Sequence, residues 1–264
     1  MKPPQLTQRL RAAEAVARDA GRLAKHYLVD PAALDVRLKG AQDVLTAADG
    51  AVERLIVTTL HAAFPRDAFL GEEGGRVEGG AADGPCWIID PIDGTANFAR
   101  GLPTWCVSIA LVVAGRTELG VIHDAAADLL YAATRGGGAQ RNGERLAVSM
   151  TTEIPRATVD TGYSNRTPAA VFGDLVTRLL RRGINVTQCG SAALGLARVA
   201  DGRLDGYVER HLYAWDALAG LLLVEEAGGR VNAFLDGDGL TQGNETIAAT
   251  PALYALLADT LAGR

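Results

Sequence analysis

Apolar positions recur along this chain with two periods, and each change of period marks a new element. Leu6, Leu10, Ala13, Ala17, Ala20, Leu23 and Tyr27 return every three or four residues, which predicts an amphipathic helix over 6–28. Asp35 to Lys39 alternates and suits a short strand or an irregular segment. Val52, Leu55, Ile56 and Leu60 restore the helical period, with Asp49 near the start of that second helix. The strand-like AFLG follows, then a polar, glycine-rich loop from Gly74 to Gly84 and the strand CWIID. TWCVSIALVVAG, TELGVIHDA and DLLYAATR read as successive strands, and the Asn-Gly in RNGE signals a hairpin. This half predicts helices on an antiparallel sheet.

The second half alternates the two periods. ATVDTGY, INVTQCG, LDGYVE, RVNAF and ETIAAT are strand-like, while 168–182, SAALGLARVADG and AWDALAGLLLVEEAGG are helical. Pro251 is expected in the first turn of a terminal helix. Such alternation predicts α/β layering. A boundary near residue 150 divides the chain into 1–150, with the antiparallel sheet and the main candidate site, and 151–264, completing that site.

Composition narrows the function. With 264 residues, 48% of them hydrophobic, the chain can bury a large core. A net charge of -5 without a basic stripe argues against a nucleic-acid partner. Three scattered cysteines (Cys86, Cys106, Cys189) suit reduced thiols, and the N-terminus lacks the apolar core of a signal peptide, so a cytoplasmic location is expected. The apolar runs Trp105 to Ala114 and Leu218 to Val224 are too short to span a bilayer, so no membrane association is expected.

The candidate chemistry lies in WIIDPIDGTANF, residues 87–98. Asp90 closes an apolar strand, Pro91 holds it extended, and Gly94 permits a turn that can bring Asp93 back beside it. Two carboxylates so close repel each other, and a bound divalent cation removes the conflict. Alone, a DxxD could simply cap a turn. Glu72 and Glu73 after AFLG, Asp49 and Asp216 supply further acids at element ends, as a pocket for hard cations needs. None of the four histidines forms a ligand-spaced pair, so oxygen donors and Mg²⁺ are favoured over Zn²⁺. The spacings of cysteine, haloacid-type and serine nucleophiles, and of a P-loop, are missing, which disfavours covalent catalysis.

These motifs resemble the inositol monophosphatase family of Mg²⁺-dependent, lithium-sensitive phosphatases. The signature D-P-[IL]-D-G-T followed by N-F stands as Asp90 to Thr95 with Asn97 and Phe98. Gly71-Glu72-Glu73, Asp43 to Asp49 (with Leu45 for the usual valine), Gly190-Ser191-Ala192 and Trp215 to Gly220 follow the family's order. The resemblance implies a layered αβαβα sandwich of the inositol monophosphatase and fructose-bisphosphatase type, combining α+β and α/β halves. It implies two or three Mg²⁺ per site, held by Glu72, Asp90, Asp93, Asp216 and the Ile92 carbonyl. Thr95 and Asp49, with Glu72, would position and activate water, and the Gly94 and Thr95 amides would hold phosphate oxygens. Gly190, Ser191, Ala192, Glu209 and Asp216 would meet the substrate, a small phosphorylated metabolite. Inositol 1-phosphate is the first expectation; histidinol phosphate is the runner-up, with fructose 1,6-bisphosphate and NADP behind it. The other class open to such a fold is a non-catalytic sugar-phosphate-binding protein. Relatives are commonly homodimers. Lys39 resembles a lysine near the metal loop of relatives, or is a solvated surface residue.

Overall fold

A computed structural model describes residues 3–29, 34–40, 43–77, 79, 81, 83–164 and 166–264, with Pro3, Pro4, Lys39 and Asp43 described in their backbone only. The elements run α1 (Pro3–Val29), β1 (Arg37–Gly40), β2 (Asp43–Leu45), α2 (Ala47–Ala63), β3 (Ala68–Gly71), β4 (Gly75–Val77), β5 (Cys86–Asp93) and α3 (Thr95–Phe98). Then come β6 (Cys106–Val113), β7 (Arg116–Asp124), β8 (Leu129–Thr134), β9 (Gly138–Arg141) and β10 (Glu144–Arg145). The remainder is β11 (Thr158–Thr161), α4 (Ala169–Arg181), β12 (Asn185–Thr187), α5 (Ala192–Ala200), β13 (Gly206–Leu212), α6 (Ala214–Glu226), β14 (Arg230–Val231), α7 (Gly239–Gln242), β15 (Asn244–Ala249) and α8 (Tyr254–Ala262).

Two main sheets and three helix layers result, with a separate antiparallel β1–β2 pair. The eight-stranded sheet has the order β10-β9-β8-β7-β6-β5-β3-β4, and the five-stranded sheet β12-β11-β13-β15-β14. Strand alternation explains the layering, because successive side chains leave opposite faces. In β5 and β6, Trp87, Ile89, Val107, Ile109 and Leu111 face Ala13, Val16, Ala17, Val52 and Ile56 of α1 and α2. Ile88, Cys106, Ala110 and Val112 face the other way, onto Leu194 and Leu196 of α5 and the leucines of α6. Tyr207 of β13 closes that middle core from the smaller sheet. Its neighbour Val208 joins Leu175 and Leu179 of α4 and Leu257 and Leu261 of α8 in a third core. The observed order is therefore α1/α2, large sheet, α5/α6, small sheet, α4/α8, the expected αβαβα sandwich. No helix among the described residues is long and apolar enough to cross a membrane.

Three local expectations need correction. The large sheet is not wholly antiparallel: β3 and β5 pair in parallel, and the segment expected to be all loop contains β4, which pairs back onto β3. CWIID does not end at Asp90; β5 continues to Asp93 through a bulge. Asp90 pairs with Ser108 and Asp93 with Cys106, so three steps along β5 oppose two along β6. The cause is Pro91, which cannot donate to the ladder, and the freed Ile92 amide donates instead to Asp90 Oδ1 at 3.0 Å. Pro251 does not start α8. The Leu253 and Tyr254 amides both donate to the Thr250 carbonyl, so 251–253 turn first and the helix begins at Tyr254.

Candidate active site

Three helices start at one place, each with an aspartate at its first turn. Thr46 caps α2, accepting from the Ala48 amide at 3.2 Å. Asp49 folds back so that Oδ2 accepts from the Thr46 amide at 2.8 Å and from Thr46 Oγ1 at 2.6 Å. Asp216 does the same for α6, accepting from the Tyr213 amide at 3.0 Å. Helix α5 takes its acid from another segment: Asp93 Oδ2 accepts from Ser191 Oγ at 2.5 Å and from the Ala193 amide at 2.8 Å. The positive ends of three helix dipoles thus offset carboxylates that would otherwise repel.

The bulge in β5 completes the constellation. Oxygens of Asp90, Asp93 and Asp216 all lie within 4.8 Å of one another. Burial pushes Asp90 well above the usual carboxylate range, and the charges of Glu72, Asp93 and Asp216 push it further. Asp216 is raised by burial and then by Asp93; Asp93 is raised by burial against the pull of its Ser191 and Ala193 donors. Asp90 and Asp216 thus act directly on each other, two buried carboxyl groups facing one another. A divalent cation would relieve the same repulsion, and the donors are all carboxylate oxygens with the Ile92 carbonyl nearby. That set fits Mg²⁺.

Glu72 stands beside these three. Its amide donates to the Ile89 carbonyl at 3.2 Å, and its charge reaches Asp90. The turn that carries it is held by Glu53 of α2, which accepts from the Glu73 amide at 3.0 Å and the Gly74 amide at 2.6 Å. Thr95 Oγ1 lies 2.9 Å from the Ile92 carbonyl and 3.2 Å from Asp49 Oδ1. Asp49 is raised by burial and by Glu73, against the Thr46 and Thr95 hydrogen bonds. The side chains of Lys39 and Asp43 lie outside the described residues.

Gly94, Gly190, Ser191 and Ala192 are brought together. Gly94 has φ +95°, and a Cβ there would lie 2.9 Å from the Thr104 carbonyl and 3.1 Å from that of Gly190. Asn97 ties the same segments, donating to the Thr104 carbonyl at 2.8 Å and the Cys189 carbonyl at 2.9 Å. The helix after Gly94 is one turn long, Thr95–Phe98. Ser191 is buried, with its hydroxyl committed to Asp93 and the cap of α5. Gly94→Ala is expected to cost roughly 1–3 kcal/mol of stability and to lower turnover more than tenfold, because both the backbone conformation and the contact with Gly190 are lost. Thermal melts and phosphate release on one preparation check this.

Glu209 is buried on β13 and accepts from Tyr207 Oη at 2.5 Å. Burial pushes it up to about 8, and Asp216 and Asp93 add to the rise against the Tyr207 bond. Several participants were not singled out from sequence. Tyr207 was findable, since it lies two residues before Glu209 on one strand face. Arg166, whose guanidinium stacks 4.1 Å from the Tyr213 ring centre, sits in a loop with no periodic signal. Cys106, 3.7 Å from Asp93 Oδ2, reads locally as a core residue.

The sequence matches the profile of the inositol monophosphatase family over residues 5–263. It is 39% identical over 253 residues to "Nus factor SuhB" of Escherichia coli (strain K12), covering 95% of this chain and 94% of that one. Among solved structures it resembles the extragenic suppressor protein suhB from Bartonella henselae, with a TM-score of 0.88, 33% identity and coverage of 95% of this chain and 97% of that chain. It also resembles an inositol monophosphatase from Anabaena (Nostoc) sp. PCC 7120, with a TM-score of 0.83, 34% identity and coverage of 98% and 97%.

Proposed function

Because the chain belongs to the inositol monophosphatase family, we propose that it is a Mg²⁺-dependent phosphomonoester hydrolase, with inositol 1-phosphate as its first candidate substrate. The observation that carries this reading is the meeting of Asp90, Asp93 and Asp216 within 4.8 Å beside the Asp49–Thr95 pair. Glu72, Asp90, Asp93, Asp216 and the Ile92 carbonyl are the groups that would hold the cations. Bound Mg²⁺ supplies charge neutralisation at phosphate oxygens and makes water a better nucleophile.

The chain's own residues then divide the work. Asp49 Oδ2 is occupied by Thr46, which leaves Oδ1 facing Thr95 Oγ1. A water donating to Thr95 Oγ1 can pass a proton through that hydroxyl to Asp49, whose raised pKa suits an acceptor. The water oxygen adds to phosphorus as the bond to the alcohol oxygen breaks. The leaving electron pair stays on that oxygen, which then takes a proton, so no phosphoenzyme forms. The Gly94 and Thr95 amides, with Gly190 to Ala192 packed against them, would hold and orient the phosphate. Glu209 and Asp216 would receive hydroxyls of the alcohol.

Phosphate release from inositol 1-phosphate, histidinol phosphate, fructose 1,6-bisphosphate and NADP tests this directly. Turnover should need Mg²⁺, vanish in chelator and fall with lithium. The name of the Anabaena neighbour supports placing inositol 1-phosphate first. No turnover of any monoester at saturating Mg²⁺ would move the reading to a non-catalytic binding protein. The family resemblance also supports a homodimer, which sedimentation can check.

Metal removal should also expose a pH dependence. Glu209, at about 8, and the raised Asp90 and Asp216 bind protons more tightly folded than unfolded. Their favourable contribution is complete below the unfolded carboxylate range near pH 4 and is lost as pH rises toward 8. Each group costs up to about 1.4 kcal/mol per pH unit inside that window. In chelator, Tm is therefore expected to fall from pH 5 to pH 8, while Mg²⁺ flattens the fall. A Tm that rises with pH in chelator would contradict the assignment.

A further inference from the structure

Resting on the hydrolase reading, we propose that Arg166 is a specificity-determining residue that binds a second anionic group on the substrate, away from the reacting phosphate. The cluster behind it is strongly acidic, with Asp90, Asp93, Glu209 and Asp216 buried or partly buried together. A guanidinium serving only as their counter-charge would close on one of them. Arg166 does not. Its guanidinium lies over the Tyr213 ring, 4.1 Å from the centre, and no described carboxylate is within ion-pair distance of it. It is still near enough for its charge to act on both Glu209 and Asp216.

Two features fix that position. Tyr213 is the residue from which α6 begins, and its amide is bonded to Asp216, so the ring under Arg166 is tied to the metal-site acid. At the other end of the loop, Gly162 packs on Glu209 so closely that no Cβ fits between them. Gly162 thus packs on Glu209, and the exposed Arg166 stacks on the ring whose residue is bonded to Asp216, the two groups expected to receive substrate hydroxyls. Stacking engages the face of the guanidinium and leaves its in-plane N–H donors available to a ligand. A planar fork of donors suits a phosphate or carboxylate, which can accept two parallel bonds, far better than isolated hydroxyls. Within the hydrolase reading, a phosphorylated polyol or sugar carrying another phosphate or carboxylate therefore gains a contact at Arg166 that inositol 1-phosphate, with its single phosphate, cannot make.

A matched pair isolates this contact: fructose 1-phosphate and fructose 1,6-bisphosphate differ only in the remote phosphate. With saturating Mg²⁺, wild-type protein should show kcat/KM at least about tenfold higher for the bisphosphate, expressed mainly in KM. Arg166→Gln should abolish that preference, and Arg166→Lys should keep part of it by retaining the charge without the fork. A wild type that turns over both substrates with no preference, or a preference that survives in Arg166→Gln, overturns the assignment while leaving the hydrolase reading intact. Failure to release phosphate from any monoester overturns both.

Discussion

Asp93→Asn is expected to lower phosphate release by roughly a thousandfold at saturating Mg²⁺ while moving Tm by only a few degrees. The two effects separate because Asp93 has two jobs. As an acceptor at the start of α5, it receives Ser191 Oγ and the Ala193 amide on Oδ2, and an asparagine carbonyl can accept both. As an anion in the three-acid cluster, it cannot be replaced by a neutral amide, since the expected cation loses a charged ligand. Removing one of several repelling carboxylates also relieves strain in the folded state. Stability should therefore hold or improve slightly in chelator. Turnover within threefold of wild type would remove Asp93 from the catalytic machinery.

Asp201→Ala should do the reverse, with a loss of roughly 3 kcal/mol and little change in turnover once folded. The Asp201 side chain is fully buried and collects Tyr131 Oη at 3.1 Å, Arg141 at 3.0 Å and Arg203 at 3.2 Å. Tyr131 and Arg141 belong to the large sheet, while Asp201 follows α5. Truncation strands the hydroxyl of a buried tyrosine and releases two guanidinium groups that can reach water, which sets the size of the loss. The site is at the opposite end of α5, about 13 Å away along nine residues. Urea unfolding and phosphate release at a temperature where both proteins are folded check the two halves of this expectation. Asp201→Asn should lose less, because it keeps an acceptor for Tyr131.

What could be read from the sequence follows the range of the forces involved. The helices of the first layer and the strands of the large sheet were visible because Ala13, Ala17, Val107 and Ile109 sit at the periods that burial imposes. Asp90, Asp93, Glu72 and Asp216 were visible because their neighbours Pro91, Gly94, Gly71 and Trp215 mark the ends of elements. Features created by contact between distant segments left no local mark. Nothing in SAALG announces that its helix will seat on Asp93, about a hundred residues earlier, and nothing near Arg166 announces a ring at Tyr213. The β5 bulge falls between these cases: Pro91 predicted a break in the ladder, but only the partner register shows that the strand resumes beyond it. Pro251 shows the converse error, where a residue suited to a first helical turn is used in the turn before it.

The outermost strands of the two main sheets have a consequence for how this protein can meet other chains. Each border is brief: β10 and β14 are two residues long, and β4 and β12 are three. So little unpaired backbone offers a poor template for an incoming segment, and the polar pair Glu144-Arg145 discourages one further. Along the borders of these two sheets, self-association or capture of a partner therefore has to rely on matching side-chain surfaces rather than on extending the pleated layers.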